Sequence, residues 1–226
     1  MLQLLLLAAC SSTPKTNKVV APVVTHPSDG VRAKSIVLTD SDFPSGWTGA
    51  AHTQDPSDKA FERRISACAG MTDTKGQTAD DFGRDHSLNG AQVGSEVAFF
   101  KTVALARQDF GTVNNQRLLG CIRSALIDLL RAVLAKQGVR GATINSVNLG
   151  RTPVARYGDQ SAALRLTVSV SVAGQTLHFF QDIVGIQKNR AEITASFFNI
   201  GSPLPAALES TLVARLAARL ASDGGA

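Results

Sequence analysis

Four histidines (His26, His52, His86 and His178) and three cysteines (Cys10, Cys68 and Cys121) are the side chains here best suited to proton transfer, nucleophilic attack or metal ligation. Such chemistry needs each group held within hydrogen-bond reach of a partner. His178 precedes Asp182 by four residues in an alternating segment, so both point to one strand face. They form either a proton-transfer pair or part of a solvated sheet face. His86 follows Asp80, Asp81 and Asp85, but an oxygen-rich metal site would need these groups to converge, and the spacing matches no metal-binding loop. Asp81-Phe82-Gly83 has the letters of a kinase metal-binding motif. No glycine-rich phosphate loop or catalytic loop accompanies it, so it reads as a turn. No nucleophile elbow, Walker loop or zinc-protease helix motif occurs. With its candidates single and scattered, the chain reads as a non-enzyme, with no cofactor and no metal site expected. The most distinctive loop is Asp42-Phe43-Pro44-Ser45-Gly46-Trp47, where Trp47 and Phe43 are the candidate ligand-binding residues. The competing reading is a Trp folded back over the sheet edge.

The N-terminus reads MLQLLLLAAC, a short apolar run ending in small residues before Cys10. Such a run is a secretory signal and not a spanning helix, which needs roughly 20 apolar residues. The segment Leu7-Ala8-Ala9-Cys10 resembles the lipobox of bacterial lipoproteins. That resemblance implies a diacylglyceryl group on the Cys10 thiol, cleavage between Ala9 and Cys10, and attachment to the extracytoplasmic face of a membrane. A normal signal opens with basic residues. Their absence before Leu4 places the expected start upstream of Met1. Ser11 to Arg32 carries Pro14, Pro22 and Pro27 among Ser, Thr, Asn and Lys, a linker composition. The organisation expected is a signal at 1–9, lipidated Cys10 with its linker at 10–33, one domain at 34–221 and a tail at 222–226.

Behind a secretory signal, the even pair Cys68 and Cys121 argues for a disulfide. Two free buried thiols or a catalytic thiol are the alternatives. Phe61, Ile65 and Cys68 fall on one face of a helix over 57–68. Leu118, Ile122, Ala125, Leu126, Leu129 and Val133 form a stripe on a longer helix, with Cys121 beside it. A bridge would staple the two. The 226 residues suit one sizeable domain with tails. The excess of 23 Lys and Arg over 18 Asp and Glu is mild and spread out, so no nucleic-acid partner is expected.

Those elements need a scaffold. Ser35 to Leu38 reads as a short strand or lead-in, 69–91 as a long polar loop, and Gln92 to Phe100 as a strand. Thr102 caps a helix over 103–112, the chain bends at Asn114-Asn115, and a long helix runs to Lys136. Thr143 to Leu149 is a strand. Leu164, Leu166, Val168, Val170 and Val172 alternate with polar residues, a half-buried strand. Ala173-Gly174 and Lys188-Asn189 turn the chain into strands at Thr176–Gln187 and Ala191–Phe198. Ser202 and Pro203 read as the start of a closing helix through Leu204, Leu208, Leu212 and Leu216. The class is α+β: an antiparallel sheet of about five strands with two to four helices packed on it.

Phe43-Pro44-Ser45-Gly46-Trp47, Cys68-Ala69-Gly70, Leu118-Leu119-Gly120-Cys121-Ile122, Tyr157-Gly158-Asp159 and Pro203-Leu204-Pro205, together with the lipobox, resemble actinobacterial (mycobacterial-type) small lipoproteins with a sensor-like domain. More distantly, the order of elements is similar to the extracellular sensor domain of mycobacterial Ser/Thr kinases. The resemblance implies a sheet with a cleft and internal disulfides, and it carries over no ligand or catalytic residue. The function expected is a membrane-anchored extracytoplasmic module, monomeric, that binds or senses a small molecule, lipid or envelope component. The alternative is a lipid or glycolipid carrier, which needs a large dry cavity.

Overall fold

The computed structural model describes residues 28–53, 56–70, 76–136 and 141–223. Cys10, His26 and most of the expected linker lie outside them. Among the described residues are five helices and eight strands: α1 (Asp29–Ile36), β1 (Thr48–Ala50), α2 (Pro56–Ala69), β2 (Gln77–Phe82), β3 (Asp85–Leu88), β4 (Ala91–Phe100), α3 (Val103–Gly111), α4 (Gln116–Lys136), β5 (Thr143–Thr152), β6 (Gln160–Val172), β7 (Gln175–Lys188), β8 (Ala191–Ile200) and α5 (Ala206–Ser222). The strands form one antiparallel sheet in the order β1-β3-β4-β8-β7-β6-β5, with β2 also paired to β4.

The class is therefore α+β, with eight strands where the sequence suggests about five. The difference lies in 48–50 and 69–91, read as loop. β2 and β3 lie end to end along one edge of β4, β2 opposite Glu96 to Phe100 and β3 opposite Ala91 to Val93, and β1 then adds to β3. Their side chains are mostly exposed or half-buried, so no apolar alternation marks them. Backbone pairing holds them instead. One local signal does exist. Asn89-Gly90, with φ of 50° and 85°, is the left-handed pair of a tight hairpin turn between β3 and β4.

The domain also begins earlier than residue 34. The Ser28 hydroxyl accepts from the Val31 N–H at the start of α1, and Ala33 and Ile36 are fully buried. Ser35 thus belongs to a helix and not to a strand, with Val37 and Leu38 following as extended chain. The buried Arg32 guanidinium lies 4.5 Å from the Phe99 ring centre and donates to Asp223 at 2.6–3.1 Å. That pair ties the first helix to the end of the last, so the expected tail is anchored at Asp223. The closing helix starts at Ala206 after Pro205, later than the Ser202-Pro203 signal suggests.

The sheet carries helices on both faces. On one, Leu212, Leu216 and Leu220 of α5 and Ile36 of α1 cover Val97, Phe99, Ile193 and Phe197 in the main core. Burying each of these side chains stabilises the fold by about 1.5–3 kcal/mol. On the other, Leu126, Ile127, Leu130 and Leu134 of α4 lie over Val147, Val168 and Val170. Thr102 caps α3 as its sequence suggests, its hydroxyl accepting from Leu105 N–H. The ring of Phe110 sits so close to β7 that a Cβ added at Gly185 would lie 3.0 Å from it. The first half of α4 meets α2 through Leu118, Cys121 and Ile122 against Ile65 and Ala69. Cys68 and Cys121 are joined there by a disulfide, with Cα atoms 5.8 Å apart. No described helix is long and apolar enough to span a membrane.

Candidate functional site

Sheet register places Arg165 of β6 directly across from Asp182 of β7. The guanidinium grips the carboxylate with two parallel bonds, Nε to Oδ1 at 2.6 Å and Nη2 to Oδ2 at 2.6 Å. Asp182 is buried, while Arg165 keeps contact with solvent. The first turn of α5 brings a second carboxyl, that of Glu209, into hydrogen-bond contact with Asp182. Burial, then the charge of Asp182, then their hydrogen bond push Glu209 up to about 7, against the opposing pull of Arg165. Its Oε1 is buried and has no hydrogen-bond partner. Below about pH 7 the three groups sum to neutrality; above it they carry one negative charge.

These groups line a cleft of about 390 Å³. Its far wall is the crossing from β5 to β6, which brings Val154 and Tyr157 opposite Val184 and Val213. Several short-range bonds hold that crossing. The Ser161 hydroxyl donates to Ala155 O at 3.1 Å and accepts from Tyr157 N at 3.3 Å. Gly158, at φ 59°, passes so close to the Gln187 carbonyl that a Cβ would lie 2.6 Å from it. Asp159 N then donates to that same carbonyl at 2.8 Å. The cleft thus has an apolar wall and an ionic floor, with exposed Ser210 also in its lining. Its parts sit on strands and a helix held by the main core, so they are preorganised.

No family model and no curated protein matches the chain. The crystal structure of the extracellular domain of PknH from Mycobacterium tuberculosis is similar over 88% of this chain and 100% of that one, at 10% identity and a TM-score of 0.44.

The residues singled out by type are distributed differently. Asp182 reaches the cleft, but its partners are Arg165 and Glu209. His178 is exposed further along the strand, so the two form no proton-transfer pair. Phe43 and Trp47 pack against the main core, with ring centres 5.2 Å apart. Phe43 also stacks at 3.9 Å on buried His86, whose Nε2 lies 2.9 Å from Asp40 Oδ1. Neither aromatic lines the cleft. Asp85 faces away from His86 and meets His52 at 3.1 Å, with the His52 ring stacked on Phe82. The acids around His86 therefore do not converge on it.

Arg165 and Glu209 are the functional candidates that residue typing missed. Arg165 occupies a polar position of an alternating strand, where a solvated face is the default, and Glu209 follows one residue after Leu208 of the α5 stripe. One further acid is perturbed. Glu192 of β8, beneath α3, is raised to about 8 by burial and by the charge of Asp109, although Phe110 N–H donates to it.

Proposed function

We propose that the chain is an extracytoplasmic ligand-binding or sensing module, anchored by a lipid on Cys10, whose ligand occupies the Arg165–Asp182–Glu209 cleft. The observation that carries the reading is the cleft itself. It has the size of a small-molecule site, a largely apolar wall and a few convergent polar groups on rigid elements. A catalytic alternative is disfavoured because Asp182 is already clamped by Arg165, and the Ser210 hydroxyl in the lining is committed to Ala207 O at 3.1 Å with no base against it. A lipid carrier needs a dry interior, whereas this floor is ionic. Extracytoplasmic placement is supported by the Cys68–Cys121 disulfide, since such bonds persist in oxidising compartments, and by Leu7-Ala8-Ala9-Cys10.

Two experiments test the two halves. Native mass spectrometry of the protein purified from its own host's envelope should show a small-molecule adduct. Ser210→Trp, which adds a large ring to the cleft lining from an exposed position, should remove it without lowering the unfolding midpoint. An adduct unaffected by that substitution would place the ligand elsewhere. Cys10→Ala should accumulate as uncleaved precursor, because without the thiol no diacylglyceryl thioether forms ahead of cleavage, and stable attachment needs the two acyl chains of that group. Acylated protein from the mutant would refute the anchor.

A further inference from the structure

We propose that the cleft recognises the protonated amine of a small organic cation, seated beside the Glu209 and Asp182 carboxyls with its apolar body against Tyr157, Val154, Val184 and Val213. This rests on the reading of the cleft as the ligand site. The charge balance comes first. Arg165 is matched by Asp182 through two bonds of 2.6 Å, so Glu209 brings the group's uncompensated charge. The titratable or charged groups facing it are Asp182 of β7, Arg165 of β6 and Tyr157 of the β5–β6 crossing. None of these offers Glu209 a second cation.

Hydrogen bonding points the same way. Glu209 Oε1 is buried without a donor, which is costly, and a turn of this half-buried side chain toward the cleft would let a ligand relieve it. A ligand that completes the site must donate. An ammonium donates and also neutralises the second carboxylate. A carboxylate ligand would instead compete with Asp182 for Arg165 and add a negative charge beside two acids. A neutral alcohol would satisfy the acceptor but leave the charge.

The exchange balances as one proton for one cation. Protonated Glu209 and the ammonium give the carboxylate–ammonium pair and one proton released to solvent. Glu209 titrates at about 7 in the empty cleft, so below that pH affinity should fall about tenfold per pH unit. Above it, affinity should level off.

The test uses 2-phenylethylamine, with 2-phenylethanol and 3-phenylpropanoate as the neutral and anionic counterparts, by titration calorimetry in buffers of differing ionisation enthalpy. The amine should bind at millimolar concentration or better, releasing close to one proton at pH 6 and almost none at pH 8.5 by the same linkage. The other two should bind at least tenfold more weakly. Glu209→Gln should cost the amine tenfold or more and flatten its pH profile. Carbon-13 observation of the wild-type Glu209 carboxyl should show its midpoint falling as amine is added, a readout independent of any variant's folding. Tighter binding of 3-phenylpropanoate, amine binding without proton release, or no amine binding at all would overturn the assignment of ligand class. The cleft reading fails separately, if the envelope-derived adduct survives Ser210→Trp.

Discussion

Cys68→Ser lowers the unfolding free energy by about 4 kcal/mol, expected as a fall of roughly 10 °C in the midpoint for a chain of this size. The bridge closes 53 residues of chain, and the unfolded state without it regains the entropy of that loop. The local packing makes α2 the element most affected. Its described contacts with α4 are a small cluster of Ile65 and Ala69 against Leu118, Cys121 and Ile122, and an exposed Arg64–Asp128 ion pair. Without the bridge only that cluster and an exposed ion pair of small worth hold the helix, so hydrogen exchange in α2 should rise far more than in α5. Coincident denaturant curves for the oxidised and reduced protein would refute the expectation.

Asp42→Ala is expected to cost about 3–5 kcal/mol, because it strands cationic partners at a buried acid. Asp42 is 6% exposed. It accepts from Arg219 Nη2 at 2.7 and 2.9 Å and from Thr39 N at 2.8 Å, while Arg215 Nη1 donates to its main-chain carbonyl at 2.7 Å. These bonds fasten α5 to the chain following α1. Burial alone would raise this carboxyl, but the Thr39 N–H and Arg219 outweigh it and hold Asp42 below the usual range. Its folded value is therefore lower than its unfolded value. The stabilisation is fully present above the unfolded value of about 3.8 and is lost as pH falls through the folded one. Glu192 and Glu209 act in the opposite sense. Raised to about 8 and about 7, they bind more protons in the folded state, so stability declines as pH rises from about 4.5 through those values. Denaturant melts across pH should show Asp42→Ala with a shallower acid arm, the share due to the likewise lowered Asp29 remaining, and an unchanged alkaline decline. An unchanged acid arm would refute the role given to Asp42.

Much of the scaffold was legible in the sequence because its signals are local. The alternation from Leu164 to Val172 marks β6, since side chains of a strand change face at each step and the apolar set lies beneath α4. Thr102 announces α3 because its hydroxyl satisfies a free N–H three residues on. The α4 stripe follows the helical period in its first half, through Leu118, Ile122, Ala125 and Leu126, but Leu129 and Val133 are exposed, and Ile127, Leu130 and Leu134 face the sheet instead. Leu208, Leu212 and Leu216 of α5 do keep that period against the main core. The same stripes bring Cys68 and Cys121 onto facing helices.

Strands β1, β2 and β3 needed the tertiary structure, because polar edge strands are specified by the partner that completes their ladders. α1 is too short for its period to stand out, and its buried Arg32 reads as a surface residue until Asp223 and Phe99 are seen against it. The cleft is the clearest case. Arg165, Asp182 and Glu209 lie far apart in sequence and share no motif. The β6–β7 register sets Arg165 across from Asp182, and the docking of α5 on the main core delivers Glu209 to both. The raised proton affinity of Glu209 comes from burial and a neighbouring charge, which exist only once those three elements have packed.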